Sequence, residues 1–259
     1  RRIAEGRIPV CRILPFRPDR FVTDEEAIGW VRDALGGRGL AIPVGGGART
    51  YYAEHNRANL PLAEMDFTSY PINPQVHAFD DRSVMETLAA QTATAADAAA
   101  KTGKPVHIGP VTLKPRINPN AAGGNCAIAR TDRRDVRQAS AFGAAWTLGS
   151  VAALCGPGAE AVESLTYYEL YGPLGLVCGE KYPLFEVFRD LMAEPGAEVL
   201  PVKTGSKRVA ALALRAGDRT RLLLANLTCG TVDAEIRGLP RGTVCVALTP
   251  YQYLRLSGE

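Results

Sequence analysis

An α/β fold of parallel βα units, followed by a short antiparallel β region, is what this sequence predicts. Three observations carry the prediction. Short apolar segments with polar ends alternate with helix-patterned segments through residues 9–169, which favours a parallel sheet covered by helices. Beyond about Lys181 the pattern changes to short β-like runs separated by turn residues, as in a small antiparallel sandwich. At 259 residues, with 46% hydrophobic and 22% charged, the chain can bury one large core or two smaller ones.

The elements follow in order. Residues 9–16 (PVCRILPF) form a first strand. Thr23-Asp24-Glu25-Glu26 is a capping box that opens a helix to about Leu35, closed by Gly36-Gly37. Residues 39–44 (GLAIPV) form the second strand, ending in Gly45-Gly46-Gly47. Residues 62–70 form the third, carrying Asp66, Thr68 and Tyr70, and a long loop runs from 71 to 81. Ser83-Val84-Met85-Glu86 is a second capping box, and an alanine-rich helix runs to about Lys101. Residues 105–113 form the fourth strand, followed by an irregular Pro/Asn/Gly loop to about Arg134. A helix over about 137–154 leads to the fifth strand, Ser164-Leu165-Thr166-Tyr167-Tyr168-Glu169. One more helix is expected at 182–192, then β runs at 199–202, 208–214, 220–227, 231–236 and 243–248. Turn signals at Ala216-Gly217-Asp218 and Leu239-Pro240-Arg241-Gly242 separate them.

Two domains are therefore expected: residues 1–181 as the C-terminal part of a parallel βα barrel, and residues 182–259 as a final helix and β-sandwich. Five βα units do not close an eight-stranded barrel. Either the remaining strands lie upstream, or the sheet is open. Arg1-Arg2 begins without Met inside a helical pattern, so an N-terminal part of the barrel is expected to complete this chain.

Composition excludes several classes. A net charge of +3, with Arg and Lys scattered, gives no nucleic-acid surface. The six cysteines include no CxxC pair, so reduced thiols in a cytoplasmic protein are expected rather than a zinc ribbon or a disulfide scaffold. No apolar run has membrane-spanning length and no signal peptide is visible. Gly45-Gly46-Gly47 follows a strand, but neither GxGxxG nor a P-loop Lys-Ser/Thr is present, so no nucleotide cofactor is expected and the glycines read as room for a close substrate or a sharp turn. HxH and HExxH are absent, as is GxSxG, and no metal or serine-hydrolase site is expected.

That leaves carboxylates. In a parallel barrel, catalytic groups stand at the C-terminal strand ends, where Glu169 lies beside Tyr168. Glu54 and Asn56, after the glycine run, could hold a polyol or could begin a surface helix. Asp66, inside a strand, is better suited to a structural ion pair, because an unpartnered buried carboxylate is costly. Tyr70, at a strand end, is a substrate contact. His77 and Asp80 are free for substrate or acid/base work, whereas Asp81 has the position of an N-cap near Ser83. His107 is a core histidine by default. Arg116, with Asn118 and Asn120, could clamp an oxygen-rich ligand, or the loop could bond to itself.

Five stretches resemble D-apionate lactonases: residues 44–57 (VGGGARTYYAEHNR), 76–88 (VHAFDDRSVMETL), 108–116 (IGPVTLKPR), 142–149 (FGAAWTLG) and 165–169 (LTYYE). The resemblance covers nearly the whole chain, as the second part of a longer protein. It implies a glycosidase-like TIM barrel followed by a β-sandwich, and hydrolysis of D-apionolactone to D-apionate in apiose catabolism. Retaining glycosidases of this barrel type carry an acid/base Glu at the fourth strand and a nucleophilic Glu at the seventh. Counted back from the sandwich, Glu169 ends the eighth strand, and the seventh and fourth carry no such carboxylate. A count shifted by one would make Glu169 the nucleophile. Three functions follow. In a lactonase, Glu169 would act as base or nucleophile, Tyr168, His77 or Arg116 would polarise the carbonyl, and Glu54, Asn56 and Asp80 would hold the hydroxyls of a small sugar-derived lactone. The alternatives are a retaining glycosidase and a non-catalytic carbohydrate-binding barrel.

Overall fold

A computed structural model describes residues 9–121, 126–239 and 242–258. Arg1-Arg2, and Pro240 and Arg241 at the centre of a predicted turn, lie outside the described residues. The chain forms two compact units: 9–73, 94–129 and 161–167 in one, and 74–93, 130–160 and 168–258 in the other.

The first unit is a parallel sheet. Ile13 bridges Val44, and β1 (Gly46–Gly47), β2 (Thr68–Ile72), β3 (Val106–Val111) and β4 (Val162–Tyr167) follow in chain order across the sheet. The register runs Gly46 to Thr68, Thr68 to Val106 and Val106 to Val162. The predicted α/β architecture therefore holds, with strands shorter than the apolar runs that announce them. The third run is the clearest case: residues Leu62–Glu64 make a 3-10 turn, and the strand begins only at Thr68. Asp66 sits just before that strand. Its carboxylate accepts from the Val44 N–H at 2.7 Å and pairs with Arg32 at 3.1 Å. Burial opposes its ionisation, but these two partners hold its pKa below the usual carboxylate value. This is the structural role expected of it.

The close spacing of the first strands explains the glycine run. A Cβ at Gly45 would lie 2.3 Å from the Phe67 ring, and one at Gly47 would lie 1.8 Å from the Ser69 carbonyl oxygen. The glycines make room for the neighbouring strand, not for a substrate. Helix α2 (Tyr52–Arg57) packs on β2, α4 (Leu88–Thr102, of which residues 94–102 belong to this unit) reaches it through Thr94, and α1 (Glu25–Gly36) packs against Val44. Asp24, rather than Thr23, caps α1 by accepting from Ala27 N–H. Ile28, Leu35, Val44, Leu60 and Met65 form the apolar cluster. On one face of the sheet Thr68 Oγ1 lies 2.7 Å from His55 Nε2, and the Tyr70 hydroxyl donates to Thr94 Oγ1 at 3.1 Å. The opposite face carries Ser69, His107 and Ser164 side by side. Ser164 Oγ lies 2.8 Å from His107 Nδ1 and accepts from Arg12 at 2.7 Å, so His107 is a satisfied interior group.

In the second unit the predicted helix at 83–101 starts earlier and is interrupted. The segment α3 (Asp81–Glu86) ends at Thr87 before α4 begins. The helix α5 (Ala141–Cys155) is buried on nearly every side and packs against α6 (Pro183–Met192) and the antiparallel sheet. That sheet has the order β13 (Tyr253–Gly258), β10 (Arg219–Asn226), β9 (Val209–Ala216), β8 (Glu198–Leu200). The hairpin β11 (Val232–Leu239) and β12 (Gly242–Leu248) shares with it a cluster of Ala213, Leu222, Leu224 and Leu248, joined by Ala234, Ile236, Val246, Leu254 and Leu256. This is the predicted antiparallel layer pair. Asp190 of α6 ties the last strand in place: it accepts from Tyr253 Oη at 2.8 Å and Arg255 Nη1 at 2.9 Å.

Two stability outcomes follow. Gly47→Ala should cost about 1–3 kcal/mol in chemical denaturation, since its Cβ overpacks against backbone. His55 is fully buried, with Nδ1 unpartnered among the described residues. Burial, with Lys101 nearby, pushes its pKa down to about 4. In the unfolded chain a histidine titrates near ~6.5. The stabilisation from the neutral ring is therefore complete above that value and is lost as pH falls toward about 4. Thermal melts across that window should show a decline of up to ~3 kcal/mol that His55→Phe lacks.

Candidate active site

The site begins where the parallel sheet ends. The fifth predicted strand was expected to run through Glu169. Instead β4 stops at Tyr167, and Tyr168 adopts a φ of 44°, a conformation that a bulky residue takes only when its surroundings impose it. What imposes it is burial. The Tyr168 ring is enclosed, its hydroxyl lies 2.9 Å from Thr147 Oγ1 of α5, and Thr147 in turn donates to the Gly143 carbonyl at 2.6 Å. Burial pushes the phenol pKa well above its ordinary value. Tyr168 is thus an anchor and not the substrate contact expected of it.

The turn at Tyr168 releases Glu169 into a separate short strand, β5 (Glu169–Tyr171), which pairs with β6 (Gly175–Cys178); β6 pairs in turn with β7 (Glu180–Lys181). Glu169 lies opposite Gly175, where a Cβ would approach the Leu170 and Tyr171 backbone within 3 Å. Gln138 donates to the Gly175 carbonyl at 2.9 Å and fixes this strand pair. The Glu169 side chain is 38% exposed and is gripped by Arg130: Nη1 donates to Oε1 at 2.8 Å, and Nη2 donates to Oε2. Strand alternation puts Tyr171, 70% exposed, on the same face as Glu169. The arrangement is a carboxylate held by a guanidinium through both oxygens, open to solvent, beside an exposed aromatic ring.

A second polar group lies in the same unit. Asp135, 5% exposed, accepts from Gln75 Nε2 at 2.6 Å and from Arg137 Nη2 at 2.8 Å. Arg137 also donates to Asp81 at 2.8 Å and to the Phe79 carbonyl at 3.0 Å. Burial opposes the charge on Asp135, yet the hydrogen bonds from Arg137 and Gln75 hold its pKa below the usual carboxylate range. Asp135 raises the Arg137 pKa in return. This network holds the loop that carries His77 and Asp80.

The predicted site residues divide accordingly. Glu169 and His77 are accessible, but among the described residues no hydrogen bond or ion pair joins Glu169 to His77 or Asp80. Asp80, not Asp81, is the N-cap of α3, accepting from Ser83 N–H at 2.9 Å, and Asp81 serves Arg137 instead. Glu54 is engaged in capping α2: its carboxylate accepts from Thr50 Oγ1 at 2.9 Å and Tyr51 N–H at 3.1 Å. Tyr70 is fully buried against Tyr52 and His55, its pKa pushed up to about 12 by that burial, so it cannot contact substrate. Asn56 is exposed, and its carbonyl accepts from Lys101. Arg116 and Asn118 are exposed on a loop that bonds to itself, with Asn118 Oδ1 accepting from Asn120 N–H at 3.0 Å and Asn118 N–H donating to Cys126 at 2.7 Å. Sequence reasoning missed Arg130 and Tyr171. Tyr171 had a signal, since it lies two residues past Glu169 in an extended run. Arg130 had none, being 39 residues away. Among the described residues, no group of three or more His, Cys, Asp or Glu could hold a metal ion, and no helix is long and apolar enough to cross a membrane. A groove of about 550 Å³ in the antiparallel region is lined by none of these residues.

A parallel βα sheet in one unit and antiparallel layers in the other are the elements of a partial TIM barrel with a β domain. Solved structures agree on the fold. The GH30 endoxylanase from Clostridium papyrosolvens superposes with a TM-score of 0.53 at 10% identity, over 90% of this chain and 59% of that one. The family 30 subfamily 8 xylanase from Clostridium acetobutylicum gives 0.54 at 8% identity, over 90% and 59%.

Sequence narrows the class. The family described as D-apionate lactonase, TIM barrel domain, matches residues 22–196, and this chain belongs to it. A D-apionate lactonase of Brucella anthropi is 35% identical over 171 residues, which is 60% of this chain and 27% of the relative. The chain therefore spans about a quarter of that relative's length.

The buried network gives a direct check. Asp135→Asn leaves Arg137 without its buried counter-charge and should destabilise by about 3–5 kcal/mol, read by urea denaturation.

Proposed function

We propose that the protein of which this chain is part is a lactone hydrolase that opens D-apionolactone to D-apionate. Membership of the D-apionate lactonase family is the observation that carries the substrate, and the exposed, clamped carboxylate of Glu169 is what supports its chemistry. Water must be deprotonated as it attacks the lactone carbonyl. In this reading Glu169 takes that proton, the water oxygen bonds to the carbonyl carbon, and a tetrahedral oxyanion forms. When the oxyanion collapses, the ring C–O bond breaks and the departing alkoxide takes the proton held by Glu169, which regenerates the carboxylate and leaves a hydroxy acid. Tyr171 offers an apolar face to the sugar ring. In the same unit as Glu169, His77 is the proposed group to polarise the carbonyl and Asp80 to meet a hydroxyl.

The likeness to xylanases extends to fold alone and does not favour glycoside cleavage over this reaction. Glu169→Gln in the full-length protein should lower kcat on D-apionolactone by about 10²–10⁴-fold, followed by pH-stat, with circular dichroism unchanged. Lactone hydrolysis at a normal rate by that variant would remove Glu169 from the mechanism. Release of reducing sugar from glycosides, without lactone opening, would replace the substrate class.

A further inference from the structure

Other exposed ion pairs join close neighbours, partners across a strand pair such as Arg215 and Glu198, or distant residues through a single oxygen, such as Arg32 and Asp66. Arg82 meets Glu86 one helical turn away, and Arg237 meets Glu235 two residues away. Arg130 and Glu169 differ. They stand 39 residues apart, outside any shared regular element, and meet through both nitrogens and both oxygens. Holding two long side chains in one geometry at a solvent-exposed place returns little stability, about 0–1 kcal/mol. The surrounding structure nevertheless converges on it. Tyr168 accepts a φ of 44° and is locked by Thr147, and that turn sets where Glu169 begins. Gly175 leaves the position opposite Glu169 without a side chain, and Gln138 holds Gly175 in place. Strain and support of this kind collect where geometry serves function.

We propose that Arg130 is a positioning residue for the lactone-opening step, its guanidinium fork fixing the plane of the Glu169 carboxylate toward the attacking water. This rests on the proposed role of Glu169. A carboxylate has about four lone-pair directions, and a bidentate guanidinium occupies two of them. The remaining two face away from the fork, where a water can donate. Without the fork the carboxylate rotates about its terminal torsion, which is broad and shallow, and the near-attack alignment is lost. Lysine offers a point charge without the planar fork and cannot restore that alignment.

The test uses the full-length protein and D-apionolactone. Arg130→Ala should lower kcat about 10²-fold, as a misplacement of about 1 Å can. KM should stay within about threefold and the melting temperature nearly unchanged, as expected for an exposed pair. Arg130→Lys should recover little of the loss. Added guanidinium, below denaturing concentration, should restore kcat of Arg130→Ala saturably and leave Glu169→Gln unaffected. Wild-type kcat in Arg130→Ala, a loss confined to KM, or a loss that guanidinium does not rescue would overturn the inference while Glu169→Gln remains inactive. An active Glu169→Gln would instead overturn the reading on which it rests.

Discussion

The parallel ladder that starts from Gly46, Thr68, Val106 and Val162 is the constraint on which the rest depends. A parallel sheet has helices to cover, so its residues must serve a crowded face. Thr68 and Tyr70 do so by hydrogen bonding to His55 and Thr94, and the other face is filled by Ser69, His107 and Ser164. The close approach of the first strands excludes side chains at Gly45 and Gly47. Polar residues inside the sheet are therefore spent on holding the ladder, and those at the strand ends make other contacts.

At one of those ends the chain converts burial into orientation. Tyr168 gives up a favourable backbone conformation so that its ring and hydroxyl can be enclosed beside Thr147. The free energy of burying an aromatic ring with a satisfied hydroxyl exceeds the ~1–3 kcal/mol cost of such a backbone. The consequence is that Glu169 leaves the barrel strand and enters β5 with its carboxylate outward. Asp135 works on the same principle in the opposite sense: its charge is kept inside by Arg137 and Gln75, and the loop bearing His77 is held as a result.

Much of the fold was legible because period and punctuation are local. The alternation of short apolar runs with helical patterns located β2, β3 and β4, whereas the runs at 9–16 and 39–44 supply only the Ile13–Val44 bridge and β1 falls on glycines that read as a turn. The change of rhythm after Lys181 located the antiparallel region. Boundaries were less legible. The apolar run at 62–70 contains a 3-10 turn, and the last strand, β13, was overlooked although Leu254 and Leu256 alternate toward the core. Capping was half read: Asp24 and Asp80 hold the caps that Thr23 and Asp81 were expected to supply, since any of these side chains can accept an N–H and only the entering backbone selects one.

By itself the sequence determined the class of fold, the family and the placing of a carboxylate just past a strand end, because hydrophobic period, turn residues and contiguous motifs are all read along the chain. Which polar groups are free for chemistry was decided only in three dimensions. Tyr70, Tyr168 and Glu54 looked available and are consumed by burial and capping, while Arg130, with no local signal, closes on Glu169 from 39 residues away. The physical reason is that a side chain's availability depends on which distant donors and apolar surfaces reach it, and those are brought together by packing rather than by order along the chain.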